Sequence, residues 1–307
     1  MSKVLVTGGA GFIGSNVVDL LIEKKYDVLV VDNLSTGKKA NLNPKVTFSK
    51  TDIRDKNLEE VFKKEKPDFI VHHAAQIDVR KSITDPVFDS TINIMGSINL
   101  LECTRRHSVK KFLYASSGGA VYGEPEYSPV DERHPIKPLC PYGASKYSVE
   151  KYVELYGINY GFDYSILRYA NVYGPRQDPL GEAGVVAIFT GKILRNEKPT
   201  IFGDGKQTRD FVYVKDVATA NLLALEKKSN AKVFNIGSGV ETSVNDIMRE
   251  LKELTKSKIT PAYGPAVNGE VRSISLDVRL AEKELSWKPK VNVRQGLEET
   301  LRWYKNG

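Results

Sequence analysis

Tyr142 and Lys146 stand four residues apart, in the run Pro141-Tyr142-Gly143-Ala144-Ser145-Lys146 at the head of a helical pattern. Proline suits the first helical turn, and the four-residue spacing puts both side chains on one helix face. A phenol ordinarily keeps its proton up to about pH 10. An ammonium beside it favours the phenolate, and an oxidised nicotinamide cation would add to the effect. Such a pair can act as a general base near neutral pH. The bare spacing also describes an ordinary exposed helix face. What turns the reading toward chemistry is the apolar strand pattern Phe112–Ala115 upstream, which ends in the hydroxyls of Ser116 and Ser117.

A second constellation lies at the start of the chain. The apolar run Lys3–Val6 is followed by Gly8, Gly11 and Gly14, and a helical pattern begins at Phe12. A helix N-terminus offers unpaired N–H groups and a partial positive charge to an anion, and glycine lets the backbone come close to it. Alone, this is an ordinary strand–helix turn. The second apolar run, Val28–Val31, ends in Asp32. A carboxylate about twenty residues past the turn can accept a hydrogen bond from a ribose 2′-hydroxyl and repels a 2′-phosphate. The pattern therefore implies a dinucleotide site that favours NAD over NADP.

These groups need a frame to hold them. Strand patterns at Lys3–Val6, Val28–Val31, Val46–Lys50, Phe69–His72, Phe112–Ala115 and Tyr164–Leu167 alternate with helical patterns near 12–24, 57–64, 88–107 and 143–160. The alternation predicts α/β architecture: a doubly wound parallel sheet of the Rossmann type, with ligands at the C-terminal strand ends. After about residue 170 the rhythm breaks. The Gly- and Pro-rich segment 174–184 reads as a long binding loop. Residues 1–170 are expected to form the dinucleotide-binding domain and 171–307 a smaller α/β substrate domain, with 211–236 returning to the first.

Composition bounds the rest. The chain has 307 residues, 41% hydrophobic and 27% charged, with a formal net charge of +7. That suits a globular protein with an ample core. The positive balance suits solvated lysines or steering toward an anionic ligand such as a nucleotide diphosphate. No basic stripe interleaved with aromatics points to nucleic acid. Nothing approaches the roughly eighteen consecutive apolar residues of a membrane span. Cys103 and Cys140 fit no metal or redox spacing, so no metal is expected and both are expected to be free thiols. Met1 leads straight into a strand without a signal-like leader, and the expected setting is the cytoplasm.

Several motifs together resemble a known family. They are Gly8-x-x-Gly11-x-x-Gly14, Asp52-Ile53, His73-Ala74-Ala75, Ser116-Ser117, Tyr142-x-x-x-Lys146, the run 168–175 (RYANVYGP) and the run 209–218 (RDFVYVKDVA). The chain is similar to the extended short-chain dehydrogenase/reductases that act on nucleotide sugars, and most of all to the UDP-glucose (UDP-galactose) 4-epimerases.

The resemblance implies roles. Gly8, Gly11, Phe12, Ile13 and Gly14 would hold the pyrophosphate. Asp32, Asn33, Ser35, Thr36 and Gly37 would surround the adenosine ribose, and Asp52 and Ile53 would meet the adenine. Ala74, Ala75, Gln76, Asn93 and Ser116 would line the cofactor cleft, with Tyr169 by the nicotinamide. Tyr142 would be the base, tuned by Lys146 and aided by Ser117. Asn171, Val185, Thr200, Phe202 and Arg209 match nucleotide-sugar contacts, with Arg209 on the diphosphate. The implied reaction takes the proton of the 4-hydroxyl and the C4 hydride, lets the 4-keto sugar turn, and returns both. The implied assembly is a homodimer through a four-helix contact, built on Ile94, Ile98, Leu101, Tyr147, Val153 and Leu155.

Two departures stand out. Where the family has a third hydroxyl after the paired serines, this chain has Gly118. The missing side chain is expected to leave room beside the sugar's reacting oxygen, with Ser117 or a water as substitute. An arginine of the family is Val267 here, and Arg272 would replace it. Ile274 takes the place of a pocket gatekeeper. Gly119 and Ala120 stand where sister dehydratases and decarboxylases keep carboxylates, which disfavours both activities. The alternatives are an epimerase of another UDP-sugar, N-acetylated or uronic, and an inactive NAD-sensing protein.

Overall fold

Val4 and Val6 of the first strand face one way and Leu5 the other, and all three are fully buried. Such two-sided burial is what a parallel strand covered by helices on both faces requires. A computed structural model describes residues 2–180, 184–266 and 271–306. Its main sheet has seven parallel strands: β1 (Lys3–Thr7), β2 (Asp27–Val31), β3 (Thr47–Ser49), β4 (Phe69–His72), β5 (Lys111–Ser117), β6 (Asp163–Tyr169) and β10 (Val233–Ile236). Their order across the sheet is β10-β6-β5-β4-β1-β2-β3.

On one face Val4, Val6, Val28, Val30 and Leu113 pack with Val17, Val18 and Leu21 of the helix Phe12–Glu23 and with Val217 of the helix Val214–Glu226. On the other, Leu5, Leu29, Ile70, Phe112 and Tyr114 pack with Phe62, Leu100, Leu101, Val149 and Val153. A third residue of β5 shares the parity of Phe112 and Tyr114: Ser116 lies under the helix Pro141–Tyr160.

Later residues build smaller sheets. β7 (Asn171–Tyr173) and β11 (Glu241–Ser243) flank β9 (Thr208–Tyr213), and β8 (Thr200–Phe202) pairs with β12 (Ala262–Gly264). Tyr173, Phe189, Ile201, Phe211, Tyr213, Met248 and Leu301 form a core beneath them.

The expected helix near 88–107 is three pieces. The helix Pro86–Ser90 passes through a π turn, Thr91–Met95, into the helix Gly96–Arg106. The π turn carries the side chain of Asn93 inward. Leu101 and Val153, expected at a subunit contact, belong to the core instead; Val87, Met95, Leu155 and Ile158 are among the exposed apolar residues on these helices.

The helix Pro141–Tyr160 is fastened to the sheet by a buried ion pair. Arg168 of β6 reaches both carboxylate oxygens of Glu150, with Nη2 at 2.6 Å from Oε2 and Nε at 3.0 Å from Oε1. The two side chains are only 5% and 3% exposed. Ser116 Oγ donates to Glu150 at 2.5 Å, and Arg168 Nη1 donates to the Tyr122 hydroxyl, which donates in turn to Asn235. Removing one partner of such a pair strands a buried charge and costs about 3–5 kcal/mol. Arg168→Met should lower the denaturation midpoint accordingly, and adding Glu150→Leu should recover part of the loss. Equal instability of the single and double variants in urea would refute the ion pair as the cause.

Candidate active site

The glycine turn is shaped by backbone crowding. Gly8 adopts a left-handed conformation (φ +69°), and its N–H donates to Val31 O at 2.9 Å. A Cβ on Gly14 would sit 2.2 Å from Gly8 O, and one on Gly8 would sit 2.7 Å from Ala74 N. Only glycine lets the turn, the helix and the loop after β4 meet here. A Cβ on Gly11 would touch only Gly8 O, at 3.2 Å. The helix Phe12–Glu23 has no side-chain cap and no acidic residue in its first turn, so neither competes there with a phosphate.

Asp32 ends β2 with one oxygen on Ala10 N (3.0 Å) and the other on Leu34 N (2.8 Å). Each carboxylate oxygen has a further lone pair to offer a hydroxyl. A Cβ on Gly37 would lie 3.0 Å from both oxygens, so glycine keeps that face of the carboxylate uncovered. These residues fit a dinucleotide. Asn33 and Ser35 form the adjoining turn, with Ser35 N donating to Asn33 Oδ1, and Thr36 follows them. Asn33 Nδ2 and the Arg54 guanidinium both donate to Asp52. Arg54 holds the Asp52 carboxyl well below the usual carboxylate range. Ile53 is buried and tucked against Gly96.

Past β4, Ala74 N donates to Thr7 Oγ1, and Ala75 and Gln76 follow. Asn93 Oδ1 accepts from Gln76 N, and Asn93 Nδ2 donates to Gln76 O. Tyr169 is buried, stacked on His73 at 6.1 Å between centroids and hydrogen-bonded to Asn221. Ser116 departs from expectation. Strand parity turns its hydroxyl to Glu150 under the helix, so its side chain does not line the cleft.

Ser117, one residue on, acts on the Tyr142 phenol in the direction of the phenolate. Burial works the other way and wins: it pushes the Tyr142 phenol up from its ordinary value. Lys146 is 4% exposed and donates to Ala115 O at 2.8 Å. Its ammonium lies 5.0 Å from the centre of the Tyr114 ring and 5.9 Å from that of Tyr142. Burial brings Lys146 down to about 8. The net direction at Tyr142 in the chain alone is therefore opposite to the expected lowering.

Gly118 also departs from expectation. A Cβ there would meet Leu276 Cδ1 at 2.6 Å, so the space is filled by Leu276 rather than left open. Gly119 instead faces the small recess lined by Ala170, Asn171, Asp210, Ile274 and Leu276. Ile274 is buried against Val121, Tyr122 and Val130.

Val185 opens the helix Val185–Leu194, Thr200 and the exposed Phe202 lie on β8, and Arg209 lies on β9 with Nη1 on Thr208 O. Arg272 pairs with Asp204 through two bonds of 2.9 Å. Val267 and its neighbours 268–270 lie outside the described residues. Sequence reasoning missed Asp210. Its buried carboxylate accepts from Ser238 N and Oγ, Gly239 N and Leu276 N, tying β9 to the walls of the recess.

Comparison with known proteins follows the same lines. Residues 4–237 match the NAD dependent epimerase/dehydratase family. The chain is 54% identical over 303 residues to a Methanocaldococcus jannaschii protein provisionally named a UDP-glucose 4-epimerase, covering 99% of this chain and 98% of that one. A Thermotoga maritima UDP-glucose 4-epimerase solved with UDP-glucose superposes with a TM-score of 0.97 at 50% identity, over 99% of each chain. A Thermus thermophilus UDP-glucose 4-epimerase solved with NAD gives 0.93 at 41%, again over 99% of each.

The Gly118–Leu276 contact carries a test. Gly118→Ser should destabilise the fold by about 1–3 kcal/mol through overpacking. Leu276→Ala placed in the same chain should relieve part of that cost. Thermal melts of the two single variants and the double variant decide it; strict additivity would remove the contact as the cause.

Proposed function

The chain belongs to the NAD dependent epimerase/dehydratase family, and from that premise we propose that it interconverts UDP-glucose and UDP-galactose as an NAD-dependent 4-epimerase. The observation that carries the reading is the Lys146 ammonium 5.9 Å from the centre of the Tyr142 ring, with Ser117 beside them at the C-terminal edge of the sheet that also holds the glycine turn. Gly119 and Ala120 supply no carboxylate for dehydration or decarboxylation.

In this reading residues 1–170, with the returning segment 211–236, hold NAD. The glycine turn takes the pyrophosphate and Asp32 the adenosine ribose. The rest of 171–307 holds the nucleotide sugar through Asn171, Val185, Thr200, Phe202 and Arg209, with Ile274 bounding the hexose. NAD, when bound, supplies a hydride acceptor and donor at C4. Tyr142 takes the proton from the 4-hydroxyl and later gives it back. Ser117 orients the phenol and stabilises it once ionised. Lys146 adds positive charge beneath the ring and is fixed there by Ala115 O.

A UDP-sugar panel read by NMR tests the substrate, and C4 inversion of UDP-glucose and UDP-galactose is the expected result. Solved relatives include a UDP-N-acetylglucosamine 4-epimerase and a UDP-glucuronic acid 4-epimerase, so the panel includes both sugar types. Tyr142→Phe should lose about 10²–10⁴-fold in kcat. Full activity of that variant would overturn the assignment of the base.

The assembly belongs to the same proposal. Val87, Met95, Leu155 and Ile158 expose apolar surface on the helices around 86–106 and 141–160. A second copy of the chain would cover it in an isologous contact. Light scattering should give twice the chain mass of 34.2 kDa. Met95→Glu with Ile158→Glu should give the monomer, and a monomeric wild type would refute the dimer. Cys103 and Cys140 are both free, and no described helix is long and apolar enough to cross a membrane. A cytoplasmic setting fits these features.

A further inference from the structure

Lys146 is a positive charge held inside the protein, and buried charges need a compensating partner. Its contacts are neutral: the Ala115 carbonyl and the faces of two tyrosines. Six titratable groups face it. Tyr142 and Glu150 come from its own helix, Tyr114 from β5, His72 and His73 from β4 and the loop after it, and Asp89 from the helix Pro86–Ser90. Burial keeps both tyrosines protonated. Burial first, and the ammonium second, keeps both histidines neutral, with His73 down at about 3. Two carboxylates remain.

Glu150 is already matched by Arg168, which binds both of its oxygens. Asp89 is not matched. It is 1% exposed. Its Oδ1 accepts from Gln76 Nε2 at 2.9 Å and from Asn93 Nδ2 at 3.0 Å, both neutral amides. Its Oδ2 has no hydrogen-bond partner among the described residues. Its helix packs directly on the helix that carries Lys146. The Asn93 amide also reaches Ser145 Oγ, at 3.3 Å, on the residue that precedes Lys146. An unmatched buried ammonium and an unmatched buried carboxylate therefore sit on adjoining helices, linked through one amide.

We propose that Asp89 is a positioning residue for the reaction: the buried counter-carboxylate of Lys146, acting through space on Lys146 and Tyr142 while the amides of Gln76 and Asn93 hold it in place. The separation is useful. A direct salt bridge would draw the ammonium off Ala115 O and away from the cleft. A carboxylate held on the neighbouring helix supplies the opposite charge and leaves Lys146 its remaining N–H donors. The field of Asp89 favours the proton on both neighbours, so it secures the ammonium and raises the affinity of Tyr142 for its proton.

The role rests on the assignment of Tyr142 and Lys146 to proton transfer, and two readouts separate the claims. The first needs no activity. In protein labelled at lysine Cε, the Lys146 resonance is assigned by its loss in Lys146→Arg. In Asp89→Asn it should titrate about one pH unit lower or more, a tenfold fall in proton affinity. The second is the pH profile of kcat/KM. The acid limb follows ionisation of Tyr142 and the basic limb loss of the Lys146 proton. Removing a negative charge lowers both affinities, so both limbs should move toward acid. Asp89→Glu should bring both back, at reduced turnover. A misfolded or loosened site would lower the plateau without moving the limbs. If Asp89→Asn does not fold, Asp89→Ser carries the same expectation. An unmoved Lys146 titration in a folded variant overturns the proposal. A shifted titration in a protein that fails to invert C4 of any UDP-sugar leaves Asp89 in its role and overturns the function instead.

Discussion

The pairing of Arg168 with Glu150 is the constraint on which the site depends. The helix Pro141–Tyr160 carries Tyr142, Lys146 and Glu150 inward at four-residue intervals, a stripe of ionisable groups where a helix against a sheet ordinarily places apolar ones. Each would pull the helix toward water if left unmatched. Arg168 reaches Glu150 from β6 and Ser116 reaches it from β5, so the helix is pinned to two adjacent strands at one height. That height puts Lys146 under Ala115 O and Tyr142 beside Ser117. The catalytic spacing therefore follows from an ion pair one turn further along, well away from the reacting atoms.

Local pattern made much of the frame legible. Val4, Leu5 and Val6 are apolar on both faces, which only a covered parallel strand needs. The glycines at 8, 11 and 14 mark a turn in which a Cβ would strike backbone. Tyr142 and Lys146 share a face by helical geometry alone. Each of these signals lies within a few residues of chain and reflects a rule of backbone or period. The seventh strand, Val233–Ile236, carries no such mark. It is short, it pairs with β6, and only the expected return of 211–236 to the first domain points to it. The π turn at Thr91–Met95 is equally silent, because the apolar positions keep a helical rhythm while one extra residue is absorbed.

What the sequence did not disclose are contacts between distant residues. Ser116 and Ser117 look interchangeable in the chain, yet strand parity sends the first to a structural carboxylate and leaves the second for Tyr142. Gly118 reads as a missing hydroxyl. In the fold it is the vacancy into which Leu276 packs, and no local rule relates those two positions. Asp89 looks like an ordinary acidic residue in the first turn of a short helix. Only the amides of Gln76 and Asn93 reveal that it is buried.

Burial of the whole acid–base group makes chemical sense for an isomerisation. A hydrolase or a net reductase must exchange protons with solvent in every cycle, and its acid or base needs a route out. Inversion at C4 returns the proton it removes, so Tyr142, as the proposed base, needs no such route. The protein then has to keep the total charge of that site fixed rather than vent it. Two carboxylates, two cations and two neutral histidines on and around the helix Pro141–Tyr160 serve this. Glu150 and Arg168 cancel in contact, and Asp89 and Lys146 balance across a gap. Within that arrangement Tyr142 is the group whose charge the proposed reaction changes.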